Sequence, residues 1–269
     1  MFFSVCTELI YPRVRVERRT AKVAAHGFDR IDIWDWKSKD LAELKKGLKA
    51  SGVALNSAVA HTRSSTSVAA DRKKFLAELR GSLEFARKFD CDKLIVLSEY
   101  LTGPNPGAVP PVMPAALNPE PGNVRVRNMV DALNEGCDIA EASGVVLLLE
   151  ALNNYDHPSY YLNSSSRALD VVRKVRRRNL KMLYDIYHMQ VSEGNVTETL
   201  TRNLDAIGCL HFADVPGRHE PGTGELNLPF ILGRLSSAAY SGGMVFEYSP
   251  AHTDDSALER VREVVGPYL

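Results

Sequence analysis

Residues 145–150 read Val-Val-Leu-Leu-Leu-Glu. An unbroken apolar run of this length fits a strand buried on both faces, as in a parallel sheet. Such surroundings offer nothing to a carboxylate, yet the run stops on Glu150. The same design returns three times downstream, in Lys181–Asp185 (KMLYD), Ile207–His211 (IGCLH) and Gly242–Glu247 (GGMVFE). Working outward, the predicted strands are Phe2–Cys6, Arg30–Ile33, Val53–Ser57, Lys93–Leu97, Val145–Leu149, Lys181–Tyr184, Ala206–His211 and Met244–Phe246.

Helical patterns fill the gaps, among them Ala69–Phe89 and Val124–Ser143. In the second, Val126, Met129, Val130, Leu133, Cys137 and Ala140 recur at helical spacing. Glycines at His26-Gly27, Ser51-Gly52 and Ser143-Gly144 stand where helices should end, because glycine accepts the left-handed conformation of a C-terminal cap. Eight strands alternating with helices predict an α/β chain folded as one (β/α)₈ TIM barrel over residues 1–269. An open doubly wound sheet is the competing fold, but no GxGxxG or P-loop follows any strand. Residues Ser98–Gly122 are rich in proline and glycine and should form a long loop on the catalytic side, either a lid or decoration.

Composition narrows the function. Lys plus Arg and Asp plus Glu balance at 33 each, so no general field draws the chain to nucleic acid or to an anionic membrane. No apolar run approaches the roughly 20 residues of a membrane span. MFFSVCTELI lacks a basic leader region and a cleavage site, so it reads as a first strand. Cys6, Cys91, Cys137 and Cys209 are scattered and read as buried free thiols, making the cytoplasm the default location. Homo-oligomer formation stays open.

The four strand ends carry the chemistry. Glu150, Asp185, His211 and Glu247 follow strands five to eight and would meet at the barrel mouth. Burying three unpaired carboxylates together is very costly, and a divalent cation removes that cost. A donor set of three carboxylates and one imidazole is rich in hard oxygen. It suits Mn²⁺, Mg²⁺ or Co²⁺ ahead of Zn²⁺. The bland reading of any one such residue is a salt bridge or a helix cap, but it does not easily cover all four.

Longer motifs point the same way. HFADVPGRHEPGTGELN (His211–Asn227), YDIYHMQ (Tyr184–Gln190) and LLLEALN (Leu147–Asn153) resemble the hydroxypyruvate isomerase family, a branch of the xylose isomerase-like barrels. The close resemblance covers roughly Val145–Pro250. It implies a metal on Glu150, Asp185, His211 and Glu247, with Glu150 and Glu247 as the acid/base pair. It also implies that His188 and Arg218 bind substrate oxygens, as in the related epimerases. One position departs: hydroxypyruvate isomerases tend to carry Gln where this chain has His211, and the sugar epimerases carry His.

The expected reaction interconverts a small 2-hydroxy aldehyde and its ketone through an enediolate, hydroxypyruvate to tartronate semialdehyde first. A ketose or oxo-sugar-acid 3-epimerase or isomerase is the alternative, with a lyase or dehydratase, or a non-catalytic sugar-binding barrel, behind it. An endonuclease IV-type nuclease is disfavoured: Gly217 stands where those enzymes need an Asp, and LIVLSEY lacks their histidine. Further candidates for contact with substrate are His61 and Trp34, each with a bland alternative as a loop hydrogen bonder or rim packing. Trp36, Glu99 and Tyr100 lie close to the same mouth. Asn153 is expected to orient Glu150. His219, Glu220 and Glu225 read as loop-structuring groups, Gly222-Thr223-Gly224 as a tight turn, and Arg173–Arg178 as a solvated helix end.

Overall fold

The computed structural model describes residues 1–99, 121–158 and 160–269. Tyr100 and nearly all of the Ser98–Gly122 segment, with the expectation of a lid, lie outside the described residues.

Eight parallel strands close into a barrel in chain order, and β1 (Phe2–Cys6) seals it against β8 (Gly243–Phe246) through Phe2↔Gly243 to Val5↔Phe246. Between them stand β2 (Arg30–Asp32), β3 (Ala54–Val59), β4 (Lys93–Val96), β5 (Val146–Glu150), β6 (Leu180–Asp185) and β7 (Ile207–Phe212). All eight predicted strands are present, with ends shifted by a residue or two. Leu147, Leu148 and Leu149 are wholly buried, because a barrel strand has side chains on one face and helices on the other. Each such leucine contributes about 1.5–3 kcal/mol by leaving water.

The outer ring comprises α1 (Val16–Ala25), α2 (Leu41–Ser51), α3 (Arg72–Lys88), α4 (Gly122–Glu141), α5 (Ser165–Val175), α6 (Ile186–Ser192), α7 (Val196–Arg202), α8 (Leu228–Ser237) and α9 (Asp254–Val265). The predicted helix from Ala69 begins instead as a 3₁₀ turn over Ala69–Asp71 and becomes α3 at Arg72. Gly27, Gly52 and Gly144 all take positive φ, at 78°, 71° and 66°, as the helix-ending argument requires. The four cysteines are free and buried. No helix among the described residues is long and apolar enough to cross a membrane.

Candidate active site

Glu150 and Asp185 are the last residues of β5 and β6, His211 lies one residue from the end of β7, and Glu247 follows β8 directly. Register sets their level: Asp185 pairs with His211 across β6 and β7, and Phe212 with Phe246 across β7 and β8. The four predicted ligands therefore converge. Each offers a donor atom within 4.8 Å of the others, and all four are buried.

The electrostatics show why the cluster needs positive charge. Burial, with Glu247 and Asp185 beside it, pushes Glu150 up to about 8, against the pull of His211. Burial also raises Asp185, although Arg218 and His211 oppose it. Burial would lower His211, but Glu247 at 3.3 Å and the charges of Glu150 and Asp185 hold its proton, raising it to about 9. Glu247 alone is held well below the usual carboxylate range. Burial works against it, and Arg218, His211 and Trp34 outweigh burial. Arg218 Nη2 donates to Glu247 Oε2 at 2.8 Å, and Trp34 Nε1 donates to Oε1 at 2.5 Å. His211 Nε2 is buried and has no hydrogen-bond partner. Three crowded carboxylates, an imidazole with an unused nitrogen and donor atoms within 4.8 Å fit a divalent cation.

Asp185 has a second task. Its Oδ1 accepts the His188 N–H at 3.0 Å and caps α6. Asn can cap a helix as well as Asp, so Asp185→Asn should keep α6 while removing a negative ligand. Metal content, measured by inductively coupled plasma mass spectrometry after gel filtration, should fall from about one ion per chain to well below half. Full occupancy would take Asp185 out of the ligand set.

The substrate-binding candidates separate. Trp34 stands at the mouth beside Glu247, which accepts its indole N–H, and its backbone N–H donates to Glu8 at 3.3 Å. Trp36 packs the rim by stacking on Phe85 and donating to Ser82. Arg218 stays at the mouth, with its guanidinium 5.2 Å from the Tyr187 ring centre. His188 is buried, and its Nδ1 accepts the Asn153 backbone N–H at 3.3 Å. Its proton therefore sits on Nε2, 3.8 Å from Asp185 Oδ2. The expectation for Asn153 is corrected in its partner. Its side chain holds His188 Nδ1 at 2.7 Å rather than Glu150, and its Oδ1 accepts the Tyr155 and Asp156 N–H groups. Glu99 is committed to Ser67, Ser98 and the Tyr161 N–H.

His61 serves the scaffold. The Leu97 N–H donates to its Nε2 at 3.1 Å, so Nδ1 carries the proton and donates to the Ser64 carbonyl at 3.0 Å. Protonating the ring would set one N–H against another. Burial is the main reason its pKa falls to about 4. Above about pH 6.5 both folded and unfolded chains keep this ring neutral. Below it the unfolded chain gains a proton that the folded chain refuses until about pH 4, so stability falls with acidification across that window. The loss from this ring should reach about 2 kcal/mol at pH 5 relative to pH 8. Urea unfolding at both pH values should show His61→Gln losing less than the parent protein; parallel losses would refute the assignment.

Asp214, unmarked in the sequence reading, organises the loop that carries Arg218. Its carboxylate accepts the backbone N–H groups of Val215, Gly222, Gly224 and Leu226 at 2.8–3.0 Å. A Cβ on Gly224 would fall 2.1 Å from the Val215 carbonyl oxygen, so only glycine fits that turn. The loop is also fastened to the segment after β8. Ser249 N–H donates to the Arg218 carbonyl, His219 Nδ1 lies 2.7 Å from the Ser249 carbonyl, and Glu220 accepts the Ala251 N–H. These bonds hold Arg218 at a φ of 56°, an uncommon conformation for a residue with a side chain. His219 and Glu220 are thus loop-structuring groups, and Glu225 ties in through its N–H to the Val215 carbonyl.

A family profile described as "Xylose isomerase-like TIM barrel" matches residues 20–264. The chain belongs to that family. Among relatives of this xylose isomerase-like barrel, the 2-oxo-tetronate isomerase of Cupriavidus necator is 28% identical over 272 residues, covering 98% of each chain. The hydroxypyruvate isomerase of Escherichia coli K12 is 38% identical over 130 residues, which span 48% of this chain and 50% of the relative. A crystal structure titled AP endonuclease, family 2, from Brucella melitensis superposes with a TM-score of 0.86 at 22% identity, covering 99% of this chain and 98% of that one. At that identity the likeness speaks to the fold alone.

Proposed function

We propose that this barrel is a metal-dependent isomerase of small hydroxy-carbonyl compounds, with hydroxypyruvate to tartronate semialdehyde as its leading reaction. The observation that carries the reading is the convergence of Glu150, Asp185, His211 and Glu247, with two glutamates available to move protons. The named isomerase relatives support the reaction class. A second reading, isomerisation of 2-oxo-tetronate, is favoured by the relative that matches along nearly its whole length. Both substrates are 2-oxo acids with a hydroxyl on the neighbouring carbon. A ketose 3-epimerase is the wider alternative on the same residues.

The chain's own groups divide the work. A divalent ion held by Glu150, Asp185, His211 and Glu247 would supply positive charge where the enediolate develops its negative charge. Glu247, which accepts hydrogen bonds from Arg218 and Trp34, would take the proton from the hydroxyl-bearing carbon. That C–H electron pair becomes the new C=C bond, and the former carbonyl oxygen takes the charge. The hydroxyl proton passes to the former carbonyl oxygen, and return of a proton to that oxygen's carbon, from Glu247 or from Glu150, then re-forms the carbonyl one position along. Return to the opposite face of the original carbon would instead give an epimer, so substrate pose selects the outcome. His188 offers its Nε2–H to a substrate oxygen, and Asn153 keeps that tautomer in place.

The test incubates metal-loaded protein with hydroxypyruvate, 2-oxo-tetronate and a panel of ketoses. Formation of tartronate semialdehyde supports the leading reaction. Turnover of a ketose without turnover of either oxo acid would replace it by the epimerase reading.

A further inference from the structure

The mouth holds another histidine that the protein leaves unsatisfied. His157 lies in the loop after β5 and is 4% exposed, yet its Nδ1 has no hydrogen-bond partner. Its position is fixed by the backbone, since its N–H donates to the Asn153 carbonyl and its carbonyl accepts the Tyr160 N–H, both at 3.1 Å. The ring stands 5.3 Å from His188 and 6.4 Å from Tyr160. Neighbouring polar groups are already committed: Asp156 accepts from Asn153 and from the Tyr187 hydroxyl. A buried polar atom without a partner costs about 1–3 kcal/mol and asks for an explanation. Arg218 Nε is a second such atom, on the residue that already reaches Glu247. Two unsatisfied nitrogens flanking His188 and Glu247 point to a ligand on that side of the mouth.

Burial, then the nearby charge of Arg218, pulls His157 down to about 4. Near pH 7 the ring is therefore neutral and presents one N–H and one lone pair. That pair of functions suits an oxygen of a hydroxyl or carboxylate group. We propose that His157 binds substrate, hydrogen-bonding an oxygen on the end of the molecule that does not react, beside the contact made by His188. This inference rests on the isomerase reading given above. It assigns His157 to substrate choice rather than to proton transfer.

The test compares metal-loaded parent protein with His157→Phe, which keeps a planar ring, and His157→Asn, which restores hydrogen bonding. For hydroxypyruvate, His157→Phe should raise KM at least tenfold and change kcat less than threefold, with partial recovery in His157→Asn. Dihydroxyacetone, which replaces the carboxylate by a hydroxymethyl group, separates the two oxygen sources. Weakened inhibition by it in His157→Phe shows that a hydroxyl at the non-reacting end can take the contact, and unchanged inhibition assigns the contact to the carboxylate. An unchanged KM in a His157→Phe protein with the parent Tm would overturn the proposal. If the parent turns over no hydroxypyruvate, the isomerase reading loses its leading substrate, and imidazole NMR decides the inference separately. Movement of the His157 signals on adding hydroxypyruvate supports it, and no movement overturns it.

Discussion

Glu247→Gln is expected to lower kcat by about a thousandfold, within the usual range for loss of a general base. The glutamine keeps the size of the side chain and one oxygen for Trp34 or Arg218, but it cannot take a proton. It also exchanges an acceptor for an amide that faces one of the present donors, Trp34 at 2.5 Å or Arg218 at 2.8 Å. Some loss of stability should follow, and circular dichroism should still report a folded barrel. The decisive measurement is solvent-deuterium exchange at the substrate carbon, because it reads proton removal even when product release is slow. Exchange should disappear with turnover. Exchange at the parent rate would assign proton removal to another group and leave Glu247 only a binding role.

Asp214→Asn should come second in effect, although Asp214 lies outside the four-residue cluster. A carboxylate accepts on both oxygens, and here each oxygen takes two backbone N–H groups. An asparagine has one accepting oxygen, so two of the four N–H groups would face another donor. Each unmet group costs about 1–3 kcal/mol while it stays buried. The loop has a cheaper escape by loosening toward water, and Arg218 would loosen with it. We expect kcat/KM to fall about a hundredfold, the scale associated with a misplacement of about 1 Å in a catalytic group. Tm should drop by only a few degrees, because the barrel core is untouched. Hydrogen exchange should quicken between residues 214 and 226. Unchanged activity with unchanged protection would show that the four bonds are not what hold Arg218.

The features legible in the sequence are those set by local physics. A strand buried on both faces must be apolar along its length, so VVLLLE announces itself, and the polar residue that ends it marks the mouth. Gly27, Gly52 and Gly144 mark helix ends because the left-handed conformation favours glycine. The four ligand candidates follow from repeated strand ends and need no long-range information. Side-chain partners are a different matter. Trp34 reaches Glu247 only because closure of the barrel brings the end of β2 near the end of β8, across 213 positions of sequence. Asn153 could have turned to Glu150, three residues away, but the fold brings His188 closer to its amide. His61 sits where substrate contact is expected, and the Leu97 N–H claims its nitrogen. Asp214 had one usable signal: a carboxylate opening a run of glycines needs many backbone donors turned inward.

The bonds between the Arg218 loop and residues 249–251 make two loops from different strands a single part. For anyone redesigning the enzyme, the exchangeable cassette is therefore the pair. Transplanting residues 214–226 from a relative without the matching turn after β8 would strand the Ser249 and Ala251 backbone groups and misplace the arginine. The two should also vary together among homologues, since a change in the length of either loop breaks all three fasteners at once.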